Sequence, residues 1–238
     1  MFSLDPESVV GRARAAQRAV VVPRLWQSAL RGMLGFTVVS LGGFGPWVLG
    51  SGWFQRHGGE LFMYGVCAAC FIGLSGVMLR GLIIGPGSLR PFYQIFGLGF
   101  GVYAVGWTAA WMLIGGDIGG VVGLLAGTAG MGAVMTLAFQ APRAFMPVVV
   151  VLFTANALGY FGGGWAHTAI LNWQPPATGD FQFLVPWKVP AAKTVWGIGY
   201  GMGFGLGIGL AFHFCQHGVR CRLLTQQPQP MPLARPRG

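Results

Sequence analysis

His213, Cys215, His217 and Cys221 cluster at the end of the last apolar stretch of the chain. His213, His217 and Cys221 are four apart, which puts them on one helical face. Imidazole and thiolate are good ligands for zinc or haem iron. The carboxylate or further His that would complete a site is missing nearby, and imidazoles gain from a helix C-terminus without any metal. Cys67 and Cys70 form a CxxC pair, but a dithiol relay needs a second thiol pair for exchange through a mixed disulfide. The outer loops contain no Cys, so packing as small apolar residues is the simpler role. Ser75 would act as a nucleophile only with a His within hydrogen-bond reach. His213 lies near the inner end of its helix and His167 in the outer loop, so neither matches its depth.

Two short motifs are similar to known ones. The 73–76 run, Gly73-Leu74-Ser75-Gly76, resembles the serine motif of intramembrane rhomboid proteases. The Cys67–Cys70 spacing is similar to that of membrane thiol oxidases that pass electrons to quinone. Each resemblance covers four residues and lacks its chemical partner. Other polar residues in the apolar stretches include Gln94, Gln140, Thr154 and Asn156. Gln94 and Gln140 lie near helix ends, whereas Asn156 is central; such an Asn usually joins helices, and ligand contact is the minority role. Eight of the nine Trp lie toward one side: Trp47, Trp53, Trp107, Trp111, Trp165, Trp173, Trp187 and Trp196. Aromatic belts normally mark both interfaces. A one-sided collar is the plain explanation, and an aromatic pocket for a lipid, quinone, pigment or partner helix is the functional one.

The elements that position these residues are six apolar stretches, at 30–50, 61–84, 92–114, 118–140, 144–162 and 194–215. A hydrocarbon core of about 30 Å takes about 20 helical residues. The sequence therefore predicts an all-α integral membrane protein, a six-transmembrane-helix bundle. Twelve of the 15 Lys and Arg fall on one side, with Arg56, Lys188 and Lys193 on the other. Cytoplasmic loops retain basic residues, so both termini are expected in the cytoplasm, as an even number of spans requires. Arg outnumbers Lys 13 to 2, a bias of GC-rich bacterial genomes, so the expected location is a bacterial inner membrane. The net charge of +10 flanks apolar spans instead of forming a water-facing patch. It suits anionic inner-leaflet lipids, not nucleic acid. No cleavable signal peptide is expected, because the first long apolar run starts near residue 29 and is long enough to span.

Residues 1–28 read as a basic cytoplasmic lead, with an interfacial helix over 8–22 and a break at Pro23. The outer loop, 163–193, is the longest connection. It carries Trp165, Trp173, Trp187, Phe181 and Phe183, and is expected to fold back as an aromatic cap with a short helix over 165–173. Residues 218–238 read as a disordered cytoplasmic tail, Pro- and Gln-rich from Gln226.

Glycine supplies 42 of 238 residues, against a usual share of about 7 %. Gly197, Gly201, Gly205 and Gly209 form one ridge, Gly199, Gly203 and Gly207 a second, and Gly115, Gly119, Gly123 and Gly127 repeat the spacing around the fourth span. In lipid, helices associate by close approach at small residues. The fourth and sixth spans are therefore expected to touch as a parallel pair, with the sixth central. No Asp, Glu or Lys lies at mid-membrane, which argues against ion-coupled transport and voltage sensing. The sequence predicts no resident cofactor, while a quinone, pigment or haem remains compatible with it. The expected function is non-enzymatic: an accessory subunit of a membrane complex, a homo-oligomer or partner of other membrane subunits, or a binder of an apolar ligand. A passive channel or carrier for small neutral solutes is the alternative, and a quinone- or metal-linked redox protein the third.

Overall fold

The computed structural model describes residues 4–16, 20–174 and 186–225, and those residues are helical with no strand among them. Six helical stretches are long and apolar enough to cross a membrane: Leu25–His57, Gly59–Leu82, Leu89–Ile114, Gly116–Ala138, Pro142–Asn172 and Lys188–Cys215. The chain is thus a multi-pass membrane protein, and its first and last described helices, Pro6–Ala15 and His217–Thr225, pack together at one end of the bundle.

Helix α1 (Pro6–Ala15) starts at Asp5, whose carboxylate accepts the Ser8 N–H at 2.9 Å. Those hydrogen bonds from Ser8 hold Asp5 below the usual carboxylate range. Pro6 occupies the first turn, where its missing N–H costs nothing. The expected helix over 8–22 is shorter, and its apolar residues do not face lipid. Val9, Val10 and Ala13 are buried in the protein, with Val9 against Gly85.

The first span is α2 (Leu25–Gly43) continued by α3 (Gly45–His57). Phe44 N–H still reaches Ser40 O at 2.9 Å and Val48 N–H reaches Phe44 O at 2.8 Å. Pro46 cannot donate, so the break falls there. Helix α4 (Gly59–Leu79) follows, ending in a 3-10 turn over Arg80–Leu82. Helices α5 (Leu89–Ile114) and α6 (Gly116–Ala138) form a tight hairpin. Its turn needs Gly115 and Gly116, with φ of 69° and 56°, in the left-handed region that glycine enters without steric cost. Helices α7 (Phe145–Asn172) and α8 (Lys188–Cys215) each have 28 residues. At 1.5 Å per residue that is about 42 Å, so both outreach the hydrocarbon core. Residues 165–172 are therefore the last turns of α7, not a separate surface helix. Phe181 and Phe183, expected in the cap, lie outside the described residues.

Helix α9 (His217–Thr225) occupies part of the expected tail. It packs on α1 through Gly218 and Pro6, and Arg222 pairs with Glu7 at 3.1 Å, an exposed contact that adds little stability. The Gln216 side chain fills the turn before α9. It donates to Leu82 O at 2.8 Å and accepts the Ile84 N–H at 2.7 Å, satisfying the loop after α4.

The six spans close a ring in the order α2, α4, α5, α6, α7, α8, bringing first and last spans together. Gly201, Gly205 and Gly209 face α2: a Cβ on Gly201 would lie 2.8 Å from Thr37 Cα, and Gly205 and Gly209 meet the Gly32 and Ser28 carbonyls. Gly197 lies beside Phe44, and its carbonyl accepts the Ser40 hydroxyl at 2.7 Å. Gly199, Gly203 and Gly207 face α7, where a Cβ on Gly203 would lie 2.6 Å from Gly159 Cα. The row on α6 does not turn toward α8 as expected. Gly119, Gly123 and Gly127 abut Ala110, Trp107 and Tyr103 of α5, and Gly115 is the hairpin turn itself. The short connection holds α5 beside α6, so the row is used there. A column of rings fills the ring of helices from the terminal end upward, with Phe92–Phe96 at 5.3 Å, Phe96–Phe100 at 5.4 Å and Phe92–Phe212 at 5.7 Å between centroids.

Candidate functional site

Toward the end opposite the termini, the phenyl column stops and a chamber of about 430 Å³ opens between five helical walls. Each wall is one helical face. Helix α5 contributes Phe100, Tyr103, Ala104, Trp107, Thr108 and Trp111, an i, i+3, i+4, i+7, i+8, i+11 series. Helix α4 contributes Tyr64, Cys67, Ala68 and Phe71 by the same rule, and α7 contributes Tyr160, Gly164, His167 and Thr168. Trp196 and Tyr200 come from α8, and Phe44 and Trp47 from the α2–α3 break. Ala68, Ala104 and Gly164 are the small residues among these rings, and space remains where they stand.

The rings brace one another. Trp107 and Trp111 stack at 5.8 Å and 6°, and Trp196 and Tyr200 at 5.5 Å and 9°. Phe44 meets Trp196 edge-on at 4.9 Å, and Trp47 lies parallel to the His167 imidazole at 6.4 Å. Beside the chamber the Lys193 ammonium donates to Trp47 O at 2.9 Å and Ser51 Oγ at 3.1 Å, and sits 4.8 Å over the Trp47 ring. Its charge is thus held by dipoles and a π face.

A polar cluster is built on the chamber wall around Tyr103 and Tyr200. Asn156 on α7 is fully buried and its Nδ2 donates to the Tyr103 hydroxyl on α5 at 2.9 Å. The Tyr200 hydroxyl also donates to the Tyr103 oxygen, at 3.3 Å. Asn156 Oδ1 and Trp107 Nε1 are buried without a partner among the described residues. Tyr103 and Trp107 are one helical turn apart on the chamber wall.

The residues singled out from the sequence separate into three groups. Trp107, Trp111 and Trp196 converge on the chamber, and Asn156 lies behind it. Trp165, Trp173 and Trp187 are not on its walls and stay exposed. The third group sits at the terminal end. His213 Nδ1 is 3.2 Å from the Ser28 hydroxyl, while Cys221 Sγ is 3.7 Å from His217 Nδ1. The turn at Gln216 breaks the helical register that would have aligned His213 with His217 and Cys221. The Arg220 guanidinium donates to the His213 carbonyl, where the C-terminal dipole of α8 favours a cation, although burial lowers its pKa. Among the described residues no group of three or more His, Cys, Asp or Glu could hold a metal. The Ser75 hydroxyl is occupied, donating to Ile72 O at 2.8 Å. Cys67 is on the chamber wall and Cys70 is not; both are free thiols.

The reading of the sequence missed Tyr64, Tyr103, Tyr160, Tyr200, Phe44 and His167 as members of one site. A signal existed in the i, i+3, i+4 spacing of aromatic and small residues on α4 and α5. Chemically, the chamber can enclose a flat apolar molecule by ring stacking and dispersion. No protein-family model, curated protein or solved structure matches this chain.

Proposed function

We propose that this protein is a non-enzymatic membrane protein that binds a neutral, apolar, ring-bearing ligand in the aromatic chamber. The observation that carries the reading is the chamber itself, about 430 Å³, walled by rings from five helical elements. Small-molecule sites are concave, mostly apolar and about 300–1,000 Å³ in volume, with few polar groups. The chamber has that size and that composition. Its place in the membrane follows from the charge asymmetry: both termini in the cytoplasm, the chamber toward the outer leaflet, the basic ends on anionic inner-leaflet lipids.

The packed column of Phe92, Phe96, Phe100 and Phe212 beneath the chamber favours a closed pocket over a passage for solutes. A carrier or channel needs a way through, and the column lies along it.

Ala104→Phe places a ring inside the chamber without touching the glycine contacts. In lipid nanodiscs, fluorene, a flat tricyclic hydrocarbon, should bind the wild-type protein saturably beyond its partitioning into empty discs. Ala104→Phe should weaken that binding at least about tenfold, the loss of roughly 1.4 kcal/mol of contact, with unchanged thermal unfolding. Saturable binding that Ala104→Phe leaves intact would place the ligand elsewhere and refute the proposal.

A further inference from the structure

Lys193 is a cation set inside an apolar span. It is the sixth residue of α8, about 7.5 Å along the helix axis. That helix, about 42 Å long, exceeds a hydrocarbon core of about 30 Å by roughly 6 Å at each end. Lys193 therefore sits where hydrocarbon gives way to headgroups. Helical side chains lean toward the N-terminus, which for α8 is the chamber end and the nearer membrane surface. Ionisable groups in spans are costly and take a partner. The ammonium donates to Trp47 O and Ser51 Oγ, and the Trp47 ring lies 4.8 Å away. These are dipoles and a π face, and none carries a negative charge. Among the described residues no Asp or Glu pairs with Lys193.

Lys193 also lines a groove of about 220 Å³ at the break between α2 and α3. The break opens it: a Cβ on Gly45 would meet nothing within 4 Å. Leu41, Val48 and Leu49 line the groove from the first span, and Gly197 lines it from α8. Leu41 and Leu49 are 41 % and 85 % exposed, so the groove faces lipid. Its polarity is ordered along the membrane normal. Lys193 is about one turn nearer the surface than Gly197, and Leu49 about two turns nearer than Leu41. The groove is smaller than the roughly 300 Å³ at which enclosed ligand sites begin. It suits the first stretch of one acyl chain, with the cation at the headgroup end.

We propose that this groove binds one anionic phospholipid of the leaflet at the chamber end. The lipid phosphate lies on the Lys193 ammonium, and the upper part of one acyl chain lies against Leu41, Val48 and Leu49. A zwitterionic lipid brings its own cation to the same place and loses most of the attraction. Free phosphate meets Lys193 and gains nothing from the apolar walls. The site is separate from the chamber and does not depend on what the chamber holds.

Phosphatidylglycerol and phosphatidylcholine carrying the same diazirine acyl chain serve as probes, each at trace level in nanodiscs of unlabelled phosphatidylcholine. After illumination, peptide mass spectrometry locates the crosslinks. Phosphatidylglycerol should label the 41–49 segment about fivefold more than phosphatidylcholine does, the worth of roughly 1 kcal/mol for one lysine near anionic lipid. Lys193→Met should lower that labelling to the phosphatidylcholine level, and Lys193→Arg, which keeps the charge, should preserve it. Val48→Trp narrows the groove and should reduce labelling of the segment by both lipids while leaving labelling at the α1–α9 end unchanged. Excess inorganic phosphate should not compete. Equal labelling by the two lipids would overturn the proposal, as would a preference that survives Lys193→Met in protein whose thermal unfolding shows it folded. If Lys193→Met does not fold, full labelling of the segment in Val48→Trp would overturn it instead. Competition by phosphate would identify a free-anion site and overturn the lipid assignment.

Discussion

Asn156 is the one strongly polar side chain in the middle of α7, and its amide joins α7 to Tyr103 of α5. Hydrogen bonds between membrane helices are worth about 0.6 kcal/mol on average and up to about 1.7. Asn156→Ala should cost more than that bond, because it also opens a void among buried side chains. About 1–2 kcal/mol is expected from the two terms together. Asn156→Leu fills the void and removes the orphaned carbonyl, so it should cost less than Asn156→Ala. Equilibrium unfolding in mixed micelles measures both; a Leu variant less stable than the Ala variant would contradict this account of the site. The sequence showed Asn156 as a buried hydrogen-bonding group but not its partner. Tyr103 lies 53 positions away on a different span, and nothing local distinguishes it from the other aromatic residues of α5. His213 shows the converse failure. Its four-residue spacing from His217 is real in the sequence, but Gln216 turns aside to bond Leu82 and Ile84, and the helix carrying that spacing ends.

At the scale of the helix, the same substitution should have opposite signs at two glycines. Gly203 on α8 faces Gly159 so closely that a Cβ would lie 2.6 Å from its Cα. Gly203→Ala must push α7 and α8 apart, an overpacking penalty of about 1–3 kcal/mol. Gly52 on α3 is exposed, with nothing within 4 Å of an added Cβ. Gly52→Ala should stabilise α3 by about 0.5–1 kcal/mol, by reducing the entropy lost on folding. Thermal unfolding of the pair would show it, and a stabilising Gly203→Ala would contradict the packing of α7 on α8. Span number and approximate position were readable from hydropathy, because crossing a hydrocarbon core imposes a minimum apolar length. Helix ends were less readable: α7 runs to Asn172, well past the expected end at 162, since Gly162, Gly163 and Gly164 continue a helix as readily as they stop one. Glycine rows announced close approach but not the partner. Span six packs on its neighbours α2 and α7, and the row of α6 was claimed by α5 across a two-glycine turn.

At the scale of the whole molecule, orientation and occupancy are the two properties on which the proposal depends. Cys221 is exposed on α9, at the end where α9 packs on α1. In sealed right-side-out vesicles a membrane-impermeant thiol reagent should leave it unlabelled, and in inverted vesicles it should react; the reverse pattern would invert the orientation. The chamber, at the other end, would then face the outer leaflet, on the far side of the packed phenyl column. Burial of ring surface is the source of affinity, at about 25 cal/mol for each Å² removed from water. Much of that gain is forfeited when the competing solvent is lipid, so ring stacking against the walls must supply the selectivity. The most direct test is the mass of the protein released gently from its own membrane, without added ligand. The account predicts a 25.2 kDa chain carrying a small neutral adduct that is lost in Ala104→Phe. A bare chain, or an adduct retained equally by wild-type and Ala104→Phe protein, would contradict it.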